Sequence, residues 1–245
     1  LIKNKIKNKL KVVVACGNGT AGIFAPEALK RIGCEVVELD CNLNYNFPKY
    51  NPNPEDLKML NAISRSVKEN KADVGFGFDG DGDRFFAIDD RGTFVSGDFM
   101  TALMGTYLLD RYPGSRILYD VRSSWAVPDC ISAGGGTPII ERVGHTFMKA
   151  RMAEEDAIFA GEVTGHYYFK DFFFADSGVI PSLIISEMLS RKGTKLSDLL
   201  KPLDSTYFIS GEINSRISGD PKSKIQEIAK IFGKGGTVEW LDGVS

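Results

Sequence analysis

Residues 74–89 constrain the fold most strongly, because they form two short apolar runs around an acidic turn. The runs VGFGF and FFAID have the length and the residue types of β-strands. The hexapeptide DGDGDR between them carries three carboxylates and one guanidinium. Gly80 and Gly82 lack a Cβ atom, so the backbone can turn tightly between the acids. The segment predicts a β-hairpin whose turn gathers charged groups.

The acids of this turn, Asp79, Asp81 and Asp83, are candidate metal ligands. Clustered carboxylates raise one another's pKa unless a cation lies among them, and oxygen ligands suit Mg²⁺ or Ca²⁺ better than Zn²⁺. An EF-hand loop needs Gly and Glu where this chain has Arg84 and Asp90. A plain hairpin turn needs only one Asp-Gly pair. We therefore predict a site for Mg²⁺ or Ca²⁺, where Arg84 either offsets the acidic charge or binds a phosphate.

The composition is that of a globular protein, with 245 residues, 43% hydrophobic and 25% charged. Thirty basic and 32 acidic side chains nearly balance, so neither nucleic acid nor a membrane surface is an expected partner. The four cysteines show no metal-binding spacing and are too few for a disulfide scaffold, which predicts a cytoplasmic protein. Because the chain starts without Met or a signal peptide, we expect a piece of a longer protein.

Strand and helix patterns alternate on both sides of about residue 95. This alternation predicts an α/β fold of two consecutive lobes, residues 1–95 and 96–205, with mixed sheets flanked by helices. Residues 206–245 should add a strand, a helix and a strand (TVEWL), the start of an incomplete third small domain. Before the acidic hairpin, a helix is expected to begin at Asn53 with Pro54 in its first turn.

Residues 17–22 (GNGTAG) lie between a strand-like run and a helical segment, and Glu38 and Asp40 end the next predicted strand. This is the outline of a dinucleotide-binding turn. The same glycines serve any tight strand-to-helix turn, and a long Asn/Pro-rich loop follows the acids. A non-catalytic dinucleotide- or phosphosugar-binding module therefore stays an alternative to an enzyme, as does a calcium-stabilised structural protein.

Both histidines, His145 and His166, follow glycines where strands of the second lobe should end. Ligands of open α/β sheets bind at such strand ends. His166 closes the loop GEVTGH, which also offers Glu162 and Thr164. A carboxylate, a hydroxyl and an imidazole are groups that hydrogen-bond sugar hydroxyls. A polar turn with a satisfied glutamate is the structural alternative for this loop.

Taken together, these motifs resemble the α-D-phosphohexomutase family, and within it the bacterial phosphomannomutase/phosphoglucomutase branch. The matching pieces are CGNGTAG at residues 16–22, GFDGDGDR at 77–84, Gly97-Asp98, GGTP through VGH at 135–145, and GEVTGH at 161–166. The resemblance implies a four-domain enzyme, of which this chain would hold the second and third domains and the opening of the fourth.

The resemblance also implies an isomerase that interconverts hexose 1-phosphate and hexose 6-phosphate through a phosphoserine and a bisphosphate intermediate. It implies Mg²⁺ bound by the three aspartates of the hairpin turn. Arg84 and His145 would be catalytic, and the hexose phosphate would be bound by Arg122, Glu162, Thr164 and His166. The missing N- and C-terminal domains of the same enzyme would be its partners.

This sequence departs from the family pattern at several places. Thr164 stands where the family usually has Ser, and Arg122 stands where it usually has Lys. Arg keeps the positive charge but cannot act as a base. The family's Ser-His-Asn-Pro phosphoserine loop is absent, and residues 216–221 lack the threonine of its fourth-domain phosphate loop. We therefore expect this chain alone to be inactive.

Overall fold

A computed structural model of the chain describes residues 6–54, 56–208, 213 and 215–244. Two five-stranded mixed sheets lie one after the other along these residues, and helices flank both. The predicted fold class, two consecutive α/β lobes, is therefore confirmed. No described helix has the length and apolarity that a membrane span requires.

The first sheet has the strand order β2-β1-β3-β4-β5. Its strands are β1 Lys11–Ala15, β2 Glu35–Leu39, β3 Val74–Phe78, β4 Phe85–Ile88 and β5 Phe94–Val95. β1 pairs in parallel with β2 and β3, and its valine run is buried as expected for a central parallel strand. β3 and β4 form the predicted antiparallel hairpin around the acidic turn.

The helices of the first lobe are α1 Ala25–Ile32 and α2 Leu57–Asn70. The predicted start of α2 at Asn53 is wrong. The Asp56 carboxylate accepts hydrogen bonds from the backbone N–H groups of Lys58 and Met59, at 2.8 and 3.1 Å. It therefore satisfies two of the free donors at the helix start, which makes Asp56 the N-cap residue and leaves Pro54 before the helix.

The second sheet, of strand order β10-β9-β8-β6-β7, repeats the topology of the first. Its strands are β6 Arg116–Asp120, β7 Thr137–Glu141, β8 Phe159–Gly161, β9 Tyr167–Phe169 and β10 Ala175–Asp176. Its helices are α3 Gly97–Leu109, α4 Ala126–Ala133, α5 His145–Glu154, α6 Val179–Lys192 and α7 Leu196–Thr206. In each sheet, three parallel strands are followed by two antiparallel ones.

One hydrophobic core runs through both lobes. Phe76 and Phe85 of the first lobe belong to the same buried cluster as Phe159 and Tyr167 of the second. The Phe85 and Tyr167 rings meet edge to face with centroids 6.1 Å apart. Burial of each such ring contributes about 2–3 kcal/mol, so this contact fixes how the lobes face one another.

The C-terminal segment contains helix α8, Pro221–Phe232, where a helix was predicted. The predicted strand over residues 237–241 is wrong, because these residues are irregular. A local preference for strand needs a paired neighbour before a strand forms. The strand predicted before α8 lies partly on residues 212 and 214, outside the described residues.

Candidate functional site

The acidic turn between β3 and β4 brings its three carboxylates together. Oxygens of Asp79, Asp81 and Asp83 lie within 4.8 Å of one another. Asp79 is buried, Asp83 is half-buried and Asp81 is exposed. Burial and the charge of Asp79 raise the pKa of Asp83 above its ordinary value. A hard divalent cation among these oxygens removes that repulsion, so the donor set fits Mg²⁺.

Asp79 also stabilises, through hydrogen bonds, the conformation of the turn that carries the other two acids. Its Oδ1 accepts the N–H groups of Gly82 and Arg84, both at 3.1 Å. Its Oδ2 accepts the Arg84 Nε–H at 2.6 Å. Gly82 has a left-handed backbone with φ of +80°, which a residue with a Cβ atom adopts only with strain. Asp79 therefore fixes both the turn and the guanidinium beside it.

The loop of residues 17–22 packs against the acidic turn and donates hydrogen bonds to it. The Thr20 N–H donates to the Gly80 carbonyl at 3.0 Å, and its hydroxyl donates to the Asp81 carbonyl at 2.7 Å. A Cβ atom on Gly19 would lie 2.6 Å from the Gly80 oxygen. A Cβ atom on Gly22 would lie 2.0 Å from the Cys41 oxygen. Close packing against the acidic turn thus accounts for Gly19, and close packing against the Cys41 backbone accounts for Gly22.

The loop between β8 and β9 holds Glu162 in a buried position. One oxygen, Oε1, accepts a hydrogen bond from the Tyr168 hydroxyl. The other, Oε2, accepts the Gly144 N–H at 3.4 Å. Within the loop, the Glu162 N–H donates to the His166 carbonyl at 2.9 Å. Each oxygen thus accepts one hydrogen bond from the protein, and each keeps a lone pair with which it can accept another from a ligand.

His166, at the end of the same loop, is oriented by a carboxylate. Its Nδ1 lies 3.1 Å from Oδ2 of Asp176, and Lys149 Nζ lies 2.8 Å from the other oxygen, Oδ1, of the same carboxylate. A carboxylate only accepts, so Nδ1 donates and Nε2 stays available. Burial lowers the pKa of His166, but the Asp176 hydrogen bond and the charges of Asp83 and Glu162 outweigh it, and the net shift is upward.

The acidic turn lies directly against the loop of residues 161–166, which is the candidate sugar-binding loop (the sugar loop). The Phe85 N–H donates to the Gly165 carbonyl at 2.9 Å, and the Gly178 N–H donates to the Gly82 carbonyl at 3.2 Å. His166 Nδ1 is 3.9 Å from Oδ1 of Asp83. Backbone hydrogen bonds therefore join the acidic turn of the first lobe to the second lobe.

A cavity of about 350 Å³ opens where the two loops meet, a volume suited to a sugar phosphate. The first lobe lines it with Arg84; the second lobe lines it with Val143, Gly144, His145, Thr146, Phe147, Glu162, Thr164 and His166. Arg122 lies beside it, with Nη2 3.9 Å from Glu162 Oε2. The structure thus gathers all the predicted site residues into one region.

Several contacts of the site were missed by sequence reasoning. Tyr168 holds Glu162, and Asp176 holds His166. Because strand pairing brings these residues together, no motif spacing in the sequence points to Tyr168 or Asp176. Asp120 bonds Arg122 at 2.8 Å. Its place at the carboxyl end of a parallel strand was a usable signal, since ligands of open α/β sheets bind there.

Comparison with protein families gives two matches along the chain. Residues 1–92 match phosphoglucomutase/phosphomannomutase α/β/α domain II, and residues 96–207 match α/β/α domain III of the same family. The solved structure of a phosphoglucomutase/phosphomannomutase family protein from Burkholderia thailandensis superposes with a TM-score of 0.85 at 31% identity. The superposition covers 99% of this chain and 52% of the Burkholderia thailandensis protein.

Curated relatives agree with these matches. The chain is 38% identical over 242 residues to a phosphomannomutase of Salmonella montevideo and 37% identical over 242 residues to one of Escherichia coli K12. Each alignment covers 96% of this chain and 53% of the relative, so the chain spans about half their length. The resemblance of the motifs is confirmed, and the chain belongs to the phosphoglucomutase/phosphomannomutase family.

Proposed function

We propose that this chain is the central part of a Mg²⁺-dependent phosphohexomutase of the phosphomannomutase/phosphoglucomutase type. The observation that supports the proposal is the shared cavity, which Arg84 of the first lobe lines together with Glu162, Thr164 and His166 of the second. A phosphate-binding cation and sugar-binding groups therefore face the same space. A ligand with a phosphate and several hydroxyls fits this pairing of groups.

The whole enzyme would need segments beyond these lobes. The relatives named phosphomannomutase are about twice as long as the part matched, which supports missing N- and C-terminal domains. We place the domain divisions at residues 1–95, 96–205 and 206–245. A phosphoserine from the missing N-terminal part would transfer its phosphoryl group to the hexose phosphate. The free cysteines support a cytoplasmic location.

Asp79, Asp81 and Asp83 would hold the Mg²⁺ ion, which supplies positive charge against the phosphoryl oxygens. A related fold, the N-acetylphosphoglucosamine mutase of Aspergillus fumigatus, was solved with GlcNAc-6P and magnesium, and it is 14% identical to this chain with a TM-score of 0.61. Arg84 is held by Asp79 through Nε, so its remaining guanidinium nitrogens are free to bind phosphoryl oxygens.

The second lobe would bind the sugar. Glu162 Oε2 accepts hydrogen bonds from sugar hydroxyls. Thr164 and His166 Nε2 contact the neighbouring hydroxyls of the sugar ring. His145 is the first residue of α5 and lines the same cavity, where its imidazole can move a proton at a substrate oxygen. Thr164 adds a methyl group to the serine of the family pattern, which narrows the space beside the ring.

We expect Glu162→Gln to weaken binding of mannose 6-phosphate by at least about tenfold, because a buried charged acceptor becomes an amide. Calorimetric titration of the 245-residue chain measures this affinity. Mn²⁺ affinity, measured in parallel as a stand-in for Mg²⁺, should match that of the wild type. An equal loss of both affinities would show that the metal and sugar loops are misassigned.

A further inference from the structure

Asp120 is a buried carboxylate that contacts two separate parts of the sugar side of the cavity. It is the last residue of β6, and its side chain is fully buried. Its Oδ1 accepts the backbone N–H of Arg122 at 2.9 Å. Its Oδ2 accepts both Nη2–H of Arg122 at 2.8 Å and the backbone N–H of Val163 at 3.0 Å. One carboxylate thus joins the loop after β6 to the loop after β8.

These three hydrogen bonds set the position of Arg122 relative to the sugar loop. A buried charge is stable only when its oxygens are well bonded, so the arrangement tolerates little displacement. Val163 lies between Glu162 and Thr164, the two groups proposed to bind hydroxyls. Arg122 Nη2 lies 3.9 Å from Glu162 Oε2. Any shift of Asp120 therefore changes the spacing between the cation and the sugar-binding carboxylate.

A second buried carboxylate, Asp98 in the first turn of α3, holds the far end of the loop after β6, the loop that carries Arg122. Its Oδ2 accepts the Ser124 hydroxyl at 2.5 Å and the Ser124 N–H at 3.2 Å. The neighbouring Gly97 packs so closely that a Cβ atom there would lie 2.3 Å from the Val163 carbonyl oxygen. The loop that carries Arg122 is therefore fixed at both ends, and of these two carboxylates Asp120 is the one that bonds the guanidinium.

We propose that Asp120 is a positioning residue for substrate binding, which holds Arg122 and the Val163 backbone at a fixed separation. The inference rests on the proposed function, because it assigns Arg122 to the substrate. It also gives a reason for arginine at this position. A guanidinium donates to Asp120 through one nitrogen and keeps further donors for the ligand, whereas a lysine ammonium offers a single nitrogen for both.

The test is Asp120→Asn, which keeps the size of the side chain but replaces one acceptor by an NH₂ donor. At least one of the three hydrogen bonds is lost, so we expect mannose 6-phosphate to bind about tenfold more weakly or worse. Mn²⁺ affinity should not change. In Asp120→Ala, which removes both oxygens, the Val163 amide hydrogen should exchange faster with solvent, because its acceptor is lost. Asp110→Asn, an exposed residue at the end of α3, is the control with the same charge change.

A double-mutant cycle separates positioning from general damage to the fold. If Asp120 acts through Arg122, adding Asp120→Asn to Arg122→Ala weakens binding little beyond Arg122→Ala alone. Fully additive losses, or wild-type affinity in Asp120→Asn, would overturn the proposal. Should Asp120→Asn fail to fold, Arg122→Lys tests the same claim: it should weaken sugar-phosphate binding by about tenfold without changing Mn²⁺ affinity.

The proposed function and this inference fail in different ways. Absence of mannose 6-phosphate binding by the wild-type chain would overturn the proposed function, and with it the role of Asp120 in substrate binding. The exchange rate of the Val163 amide does not depend on any ligand. An unchanged rate in Asp120→Ala would contradict the positioning contact itself, even when the wild type binds the sugar phosphate.

Discussion

Asp81→Asn is expected to abolish measurable Mg²⁺ binding while the fold stays as stable as in the wild type. Asp81 is exposed, and within the described part of the chain its carboxylate makes no hydrogen bond that holds the turn. Its backbone carbonyl still accepts the Thr20 hydroxyl after the substitution. Mutation of a residue that merely holds a metal ligand lowers metal affinity by about tenfold to a hundredfold. Loss of a ligand itself should therefore lower Mg²⁺ affinity by at least about a hundredfold.

Calorimetric titration with Mg²⁺ and a thermal melt without metal measure the two quantities for Asp81→Asn. The apo melting temperature should not fall, because the substitution also removes one of three repelling charges. Asp110→Asn, at the end of α3, serves as the matched control. Wild-type Mg²⁺ affinity in Asp81→Asn would show that the acidic turn is not the metal site.

Gly22→Ala should destabilise the fold by about 3 kcal/mol or more, the range of severe overpacking. The added Cβ atom would lie 2.0 Å from the Cys41 carbonyl oxygen and 2.8 Å from its carbon, and both are backbone atoms that cannot rotate away. We expect the melting temperature to fall by about 6 °C or more. Gly235→Ala is the control, since its Cβ atom would meet nothing within 4 Å. Equal melting temperatures for the two variants would contradict this packing account.

The sequence predicted the elements whose signals are local. The valine run of β1 and the phenylalanine-rich runs around the acidic turn indicate their strands, because burial and alternation act along a few residues. Helix α2 was predicted, but its first residue was not, since Asn53 and Asp56 are both good caps and only the packed chain selects one. The segment 237–241 has strand-forming residues yet no strand.

The site was predictable only in part, for a related reason. The acids of the turn are adjacent in sequence, so their convergence follows from the glycines between them. The glycine pattern of residues 17–22 left open a dinucleotide-binding turn or any tight strand-to-helix turn, and in the structure Gly19 and Gly22 make close backbone contacts. The bond of Asp120 to the Val163 N–H joins two loops that are 43 residues apart in sequence, and no local pattern encodes such a contact.

The central claim is that the acidic turn and the sugar loop act on one bound hexose phosphate. Nuclear relaxation of mannose 6-phosphate in the presence of the paramagnetic ion Mn²⁺ tests it most directly. The account predicts strong relaxation of the sugar protons when chain, Mn²⁺ and ligand are all present, and its loss in Asp81→Asn, which still binds the sugar. Binding of both ligands to the wild type without this relaxation would contradict the account, because ion and sugar would then occupy separate sites.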